Sequence, residues 1–210
     1  MQTRELNVPG AWEITPRQFG DDRGTFMEWF KEPAFTAALG HGLNLAQANC
    51  SVSAAGVLRG VHYADVPPGQ AKYVFCAAGA VLDVIVDLRV GSPTFGTWDS
   101  VLLDDVDRRA VYLSEGLGHA FLSLADGSTV VYLCSEGYAP DREHGIHPLD
   151  PDLAIAWPTQ GRDGRPLELT LSGKDEQAPS LAQALAAGAL PRADVVADHV
   201  AGLRGEAVAR

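Results

Sequence analysis

Three residues that can carry or move charge lie within fourteen positions of one another in GVLRGVHYADVPPGQAKYVFCAAG, Gly56 to Gly79: Arg59, His62 and Lys72. An unperturbed imidazole titrates near pH ~6.5 and so exchanges protons under working conditions. An ammonium stabilises developing negative charge, and a guanidinium grips phosphate or carboxylate oxygens. Each of the three sits on or beside an apolar strand pattern. On adjacent strands of a barrel they either converge on its interior or remain ordinary surface positions, and pattern alone leaves both open. In a regular strand Arg59 and His62, three positions apart, face opposite ways. Gly60 between them is where a bulge or bend would re-aim one of them.

Other segments add groups with two readings each. In SEGLGHAFLSL a Gly-rich turn delivers His119 to an apolar strand, where a turn histidine bonded to backbone is the plain alternative. In TVVYLCSEGY, Tyr132 shares a strand face with Val130 and Cys134, and alone it reads as a buried tyrosine whose hydroxyl finds a partner. DDRGTFMEWF places Arg23 in a turn and Glu28 on the following strand, both solvated charges if taken alone. A catalytic metal is disfavoured, because no second histidine follows His62 closely and Lys72 would compete with the ion. No GxGxxG, P-loop or nucleophile elbow is present.

The elements that must hold these groups are mostly short strands. Expected strands are Trp12 to Thr15, Thr25 to Phe30, Leu45 to Ser53, Gly56 to Tyr63, Lys72 to Ala77, Ala80 to Arg89, Trp98 to Leu103, Ala110 to Leu113, His119 to Leu124 and Thr129 to Ser135. PPG, GSP and ADG turns recur between them at spacings suited to a sandwich or barrel. In VLDVIVDLR, residues Leu82, Val84, Val86 and Leu88 fall on one face and Asp83 and Asp87 on the other. This predicts one face in a core and one at a solvated or paired surface. Short helices are expected over Pro33 to Leu39, Leu181 to Ala187 and Asp194 to Leu203, with Thr159 to Pro166 a polar loop.

The 210 residues fit one domain of residues 1–210, in which 176–210 form a C-terminal helical cap or tail. A hydrophobic content of 46% excludes intrinsic disorder. No apolar run approaches the ~20 residues of a membrane helix, and MQTRELNVPG lacks the apolar core of a signal peptide, so a cytoplasmic protein without a membrane partner is expected. Sixteen basic against 27 acidic residues give a net charge of −11, which disfavours a nucleic-acid partner. A small anionic substrate would need locally gathered cations. Cys50, Cys76 and Cys134 lack metal or redox spacing and read as reduced, mostly buried hydrophobes.

Seven ordered blocks carry a resemblance: DDRGTFMEWF, QANCSVSAAGVLRGVHY, the Lys72 segment, LDVIVDLRVGSPTFGTW, GLGHAFLSL, GYAPDREHGIHPLDPDLAIAWP and LSGKDEQAPSL. Together, over about Pro16 to Pro191, they resemble the dTDP-4-dehydrorhamnose 3,5-epimerase family. Its members are cupin-like jelly rolls that epimerise nucleotide-linked 4-keto-6-deoxy sugars. PPGQAKY and GLGHAF look closer to the antibiotic deoxysugar branch, while RGVHYA and HAF depart from the more usual RGLHYQ and HGF. With these departures the resemblance implies inversion at C3, at C5 or at both.

The resemblance implies a mainly β, cupin-like jelly-roll barrel with short peripheral and C-terminal helices, a homodimer, and neither metal nor organic cofactor. By matching positions it makes His62 the general base, Asp175 its orienting carboxylate, Lys72 the group beside the C4 carbonyl and Tyr132 the acid on the opposite face. Arg23, Glu28, Gln47, Asn49, Arg59, His119, Glu143 and Lys174 match positions that hold nucleotide or sugar, and Tyr138 matches one that stacks on thymine. The chemistry also stands by itself: a hydrogen beside a ketone is acidic only if the enolate is stabilised, so a base and a cation at the carbonyl oxygen are both required. A dTDP-linked keto-deoxysugar answers the charge problem, since Arg23, Arg59, Lys174 and His119 suffice for its diphosphate. The rival readings are a 3,4-ketoisomerase, a non-catalytic nucleotide-sugar-binding cupin and a metal-dependent cupin oxygenase.

Overall fold

The strand with the clearest alternation is buried on both faces. In a computed structural model, which describes residues 1–208 and the side chains of residues 1–205, Val84, Val86 and Leu88 pack beneath the C-terminal segments, with Leu181 and Leu190. Val81 and Ile85 point the other way into the main core, and Asp83 and Asp87 lie on that inward face with no exposure. The carboxylate face is therefore internal and paired, and none of it is solvated. Asp87 accepts from Arg89, Ser92 and Thr94, while Asp83 accepts from His119.

Among the described residues the strands are β1 (Gln2–Glu5), β2 (Ala11–Thr15), β3 (Gln18–Asp21), β4 (Gly24–Met27), β5 (Gln47–Ser53), β6 (Leu58–Ala64), β7 (Lys72–Ala78), β8 (Ala80–Asp87), β9 (Trp98–Asp104), β10 (Ala110–Leu113), β11 (Leu117–Ser123), β12 (Ser128–Cys134) and β13 (Glu143–Gly145). The helices are α1 (Glu32–Leu39), α2 (Gly173–Glu176), α3 (Leu181–Ala186) and α4 (Ala193–Val208). A first sheet runs β1-β2-β10-β7-β12-β5 and a second runs β13-β6-β11-β8-β9, all antiparallel. The β3–β4 hairpin forms a sheet of its own. All ten expected strands are present, and the mainly β jelly roll is the architecture found.

Period two sorts side chains between the inside of this sandwich and its two outer faces. Inside, Val74, Cys76, Val81, Ile85, Val101, Val111, Leu113, Phe121 and Val130 form the core. The outer face of the first sheet is covered by α1 through Phe35 and Leu39, with Trp29 and Phe30. Those two aromatics explain why β4 stops at Met27, short of the expected Phe30: they leave the strand direction to stack around Tyr73 and Phe75. The outer face of the second sheet is covered by α3 and Leu190.

The strands not foreseen, β1 (QTRE), β3 (QFGD) and β13 (EHG), are short and carry no apolar alternation. Of the expected cysteines, Cys76 and Cys134 are buried, whereas Cys50 is exposed on β5, and all are free. No described helix is long and apolar enough to cross a membrane. In the C-terminal segment, α4 continues past the expected Leu203, and residues 209 and 210 lie outside the described residues.

Candidate active site

The convergence left open by the sequence is realised by a bulge. On β6 the register against β11 pairs His62 with His119 and Arg59 with Phe121, so three residues of one strand span two of the other. The extra residue falls at Gly60–Val61 and turns Arg59 and His62 to the same cleft, which both line. Gly60 has φ +114°, and a Cβ there would lie 2.4 Å from the His119 carbonyl oxygen. Only glycine lets β11 approach this closely. Gly60→Ala is therefore expected to cost roughly 2 to 3 kcal/mol and to lower the melting temperature by about 4 to 12 °C. An unchanged thermal transition would contradict this account of the bulge.

Cross-strand pairing brings the remaining groups to the opposite wall. Lys72 of β7 pairs with Cys134 of β12, which pairs with Gln47 of β5. One row further, Val74 pairs with Tyr132 and Tyr132 with Asn49. Directly paired residues share a face. Lys72, Tyr132, Gln47 and Asn49 thus stand on the inner face of the first sheet, while Arg59, His62, Asp83 and His119 stand on the inner face of the second. The apolar core fills the rest of the interior.

The Asp175 carboxylate is delivered by α2. Ser172 caps this short helix, its Oγ accepting from the Asp175 N–H at 3.1 Å and donating to Asp175 Oδ2 at 2.8 Å. The other oxygen, Oδ1, lies 2.6 Å from His62 Nε2. Asp175 is almost wholly buried and His62 about two-fifths exposed, so the pair has one closed end and one open to the cleft. Burial alone would raise the Asp175 carboxyl, but the bonds from His62, Ser172 and the Gly60 amide outweigh it and hold the group below its ordinary range. An ionised carboxylate here fixes the proton of a neutral imidazole on Nε2 and leaves Nδ1 as the basic nitrogen.

Two further shifts bear on charge. Burial pushes the Lys72 ammonium down, opposed by Cys134, Glu143 and Asp83. Burial pushes the Tyr132 phenol up, with Cys134 adding to it and Arg59 opposing, so the hydroxyl remains a proton donor. Lys72 itself is half-buried on the inner face of the first sheet.

Arg59, His62, Tyr138, Glu143, Lys174 and Asp175 line one cleft of about 400 Å³. Its rim is tied to the interior by a chain of hydrogen bonds. The Tyr138 N–H donates to Gln47 Oε1 at 2.9 Å, Gln47 Nε2 donates to Asn49 Oδ1 at 2.7 Å, and Asn49 Nδ2 reaches Cys134 Sγ at 3.7 Å. Glu143 Oε1 accepts from the Ala139 N–H. His119 is buried against Asp83 and not bonded to backbone, as a turn histidine would be.

Arg23 and Glu28 are not brought to this cleft. Arg23, about nine-tenths exposed, pairs with Asp21 on the β3–β4 hairpin, and Glu28 pairs with Lys31. Ser172, Thr170 and His144 line the cleft without having been singled out from the sequence. Ser172 had a signal in S-x-x-D before a short helix. A cavity of about 500 Å³ under α4, bounded by Trp12, Tyr112 and Val196, contains none of the residues singled out.

The model of the family described as dTDP-4-dehydrorhamnose 3,5-epimerase matches residues 5–183. The chain is 62% identical over 191 residues to the dTDP-4-dehydrorhamnose 3,5-epimerase of Mycolicibacterium smegmatis, covering 91% of each. Among solved structures it superposes on the rmlC epimerase of Mycobacterium tuberculosis with a TM-score of 0.92 at 55% identity, covering 97% of this chain and 100% of that one. It superposes on ChmJ, a 3'-monoepimerase from Streptomyces bikiniensis in complex with dTDP-quinovose, with a TM-score of 0.89 at 51% identity, covering 95% and 98%.

Proposed function

The chain belongs to the dTDP-4-dehydrorhamnose 3,5-epimerase family and is an isomerase, and from that premise we propose how its own residues act. The substrate is a dTDP-linked 4-keto-6-deoxyhexose, inverted at C3, C5 or both within deoxysugar biosynthesis. The observation that carries the mechanism is the opposition of His62 and Tyr132 on facing inner walls. A sugar ring held between them meets a base on one face and an acid on the other.

His62 removes the proton beside the C4 ketone, and the electron pair moves into the ring as an enolate with its charge on the C4 oxygen. Asp175 stabilises the imidazolium that results, across 2.6 Å. Lys72 faces the enolate oxygen. At 4 Å and an effective dielectric of 20 two unit charges attract by about 4 kcal/mol, part of which desolvation consumes. Tyr132 then protonates the carbon from the other face, and both groups regain their starting protonation from solvent. A base or acid placed in this way contributes ~10²- to 10⁴-fold each.

Arg59 and Lys174 take the diphosphate, and Tyr138, exposed at the rim, stacks on the base. The chain acts as a homodimer in the cytoplasm, with Arg23 and Glu28, which are exposed and turned away from their own cleft, serving the substrate of the other copy. Conversion of dTDP-4-keto-6-deoxyglucose followed by product NMR tests the reading. The carbonyl is expected to stay at C4 with C3, C5 or both inverted; a carbonyl found at C3 would mean ketoisomerisation instead.

A further inference from the structure

β8 places two carboxylates on the inward face, and their surroundings differ in kind. Asp87 is completely accounted for: both oxygens are taken up by Arg89, Ser92 and Thr94, which build the turn that follows the strand. Asp83 has no such set. Its Oδ2 lies 2.8 Å from His119 Nε2, and its Oδ1, equally buried, has no hydrogen-bond partner within the described residues. The neighbours on its face of the strand are Val81 and Ile85, both in the core. A valine or leucine at this position would fit that core, whereas a carboxylate with an unmade hydrogen bond there is costly.

What such a group does depends on which cations it meets. Lys72 faces the same interior, together with Cys134 and Tyr132 from β12, His119 from β11, Arg59 and His62 from β6, and Glu143 from β13. Burial raises the Cys134 thiol, so it adds no negative charge at neutral pH. Glu143 lies at the cleft wall, partly exposed, with one oxygen on the Ala139 amide. Asp83 and Asp87 are both sealed from solvent on this inner face, and of the two Asp83 is the one not paired with an arginine.

We propose that Asp83 is a positioning residue of the reaction: Oδ2 holds His119 in one tautomer and orientation, and the carboxylate charge keeps Lys72 a cation where the enolate oxygen forms. Because a carboxylate only accepts, Nε2 of His119 carries the proton and its other nitrogen is left for the substrate. Lys72 loses hydration in the interior, and the negative charge of Asp83, on the facing inner wall, joins that of Glu143 in opposing the loss of its proton. The inference rests on the role given to Lys72 above.

Asp83→Asn preserves shape and can still accept from His119 but removes the charge. The variant is expected to melt close to the parent, with kcat lowered about tenfold or more and KM changed less. The alkaline limb of its kcat profile should move down by roughly one pH unit, because a lysine without its counter-charge loses its proton earlier. A kcat and alkaline limb equal to the parent's would overturn the proposal. A purely structural role would lower stability without moving that limb, and that result would overturn it as well. NMR of ¹³Cε-labelled lysine, with the Lys72 signal identified by its loss in Lys72→Arg, reads the charge without substrate. In the parent protein the signal should stay at the ammonium position at pH 7, and a neutral amine there would refute the proposal even if the Asn variant failed to fold. An inactive parent with a charged Lys72 would instead count against the proposed function alone.

Discussion

Replacing His62 by alanine abolishes solvent exchange at C3 and C5 together, with a loss of ~10²- to 10⁴-fold expected for removal of a placed base. Among the described residues of the cleft the other bases are engaged: Asp175 is almost wholly buried behind the imidazole, Glu143 accepts from the Ala139 amide, and His144 is bonded to Asp65. Measuring exchange instead of product alone isolates the first proton transfer from everything after it. The variant also has a stability signature with a definite sign. Bonds from His62, Ser172 and Gly60 hold the Asp175 carboxyl low against its burial, so they stabilise the fold above the carboxyl's unfolded pKa. That contribution disappears as pH falls through the lower folded value. Removing His62 weakens it, so the stability gap between parent and variant should be present at neutral pH and close in strong acid. A gap that widened on acidification would contradict the assignment.

Tyr132→Phe separates the two halves of the reaction. His62, Asp175 and Lys72 remain in place, so proton abstraction and exchange continue at a rate within about tenfold of the parent's. Inversion falls by ~10²- to 10⁴-fold, because the enolate can then be reprotonated only from the face it lost its proton on. Deuterium thus enters the substrate with its configuration retained. An equal loss of exchange and inversion would refute Tyr132 as the opposite-face acid. The phenol belongs to the inner wall of the first sheet and packs against the apolar core, so Phe keeps that packing. The variant is expected to fold as the parent does.

Strand alternation and turn residues are local, and that is why ten of the thirteen described strands and the three longer helices could be read directly from the amino acids. The β6 bulge could be anticipated for the same reason: Gly60 lies between two polar residues that regular geometry would have separated. Asp83 and Asp87 show the limit of such reading. Alternation reports that two faces differ, but whether the polar one meets water or a second sheet is decided by tertiary packing, and here it meets the interior. Likewise α2 is too short for a period, though its capping serine and the carboxylate it delivers sit in one four-residue motif. Arg23 and Glu28 mark another limit. Their match to substrate-binding positions says nothing of which copy of the chain supplies them, and within one chain they pair on the surface.

The most direct test of the central claim is to incubate the protein with dTDP-4-keto-6-deoxyglucose in deuterated water and follow C3 and C5 by NMR. A base at His62, with Lys72 and Tyr132 on the facing inner wall, predicts deuterium at one or both carbons, with inversion wherever Tyr132 returns the proton. A correctly folded protein that binds dTDP yet leaves both positions protonated would contradict it.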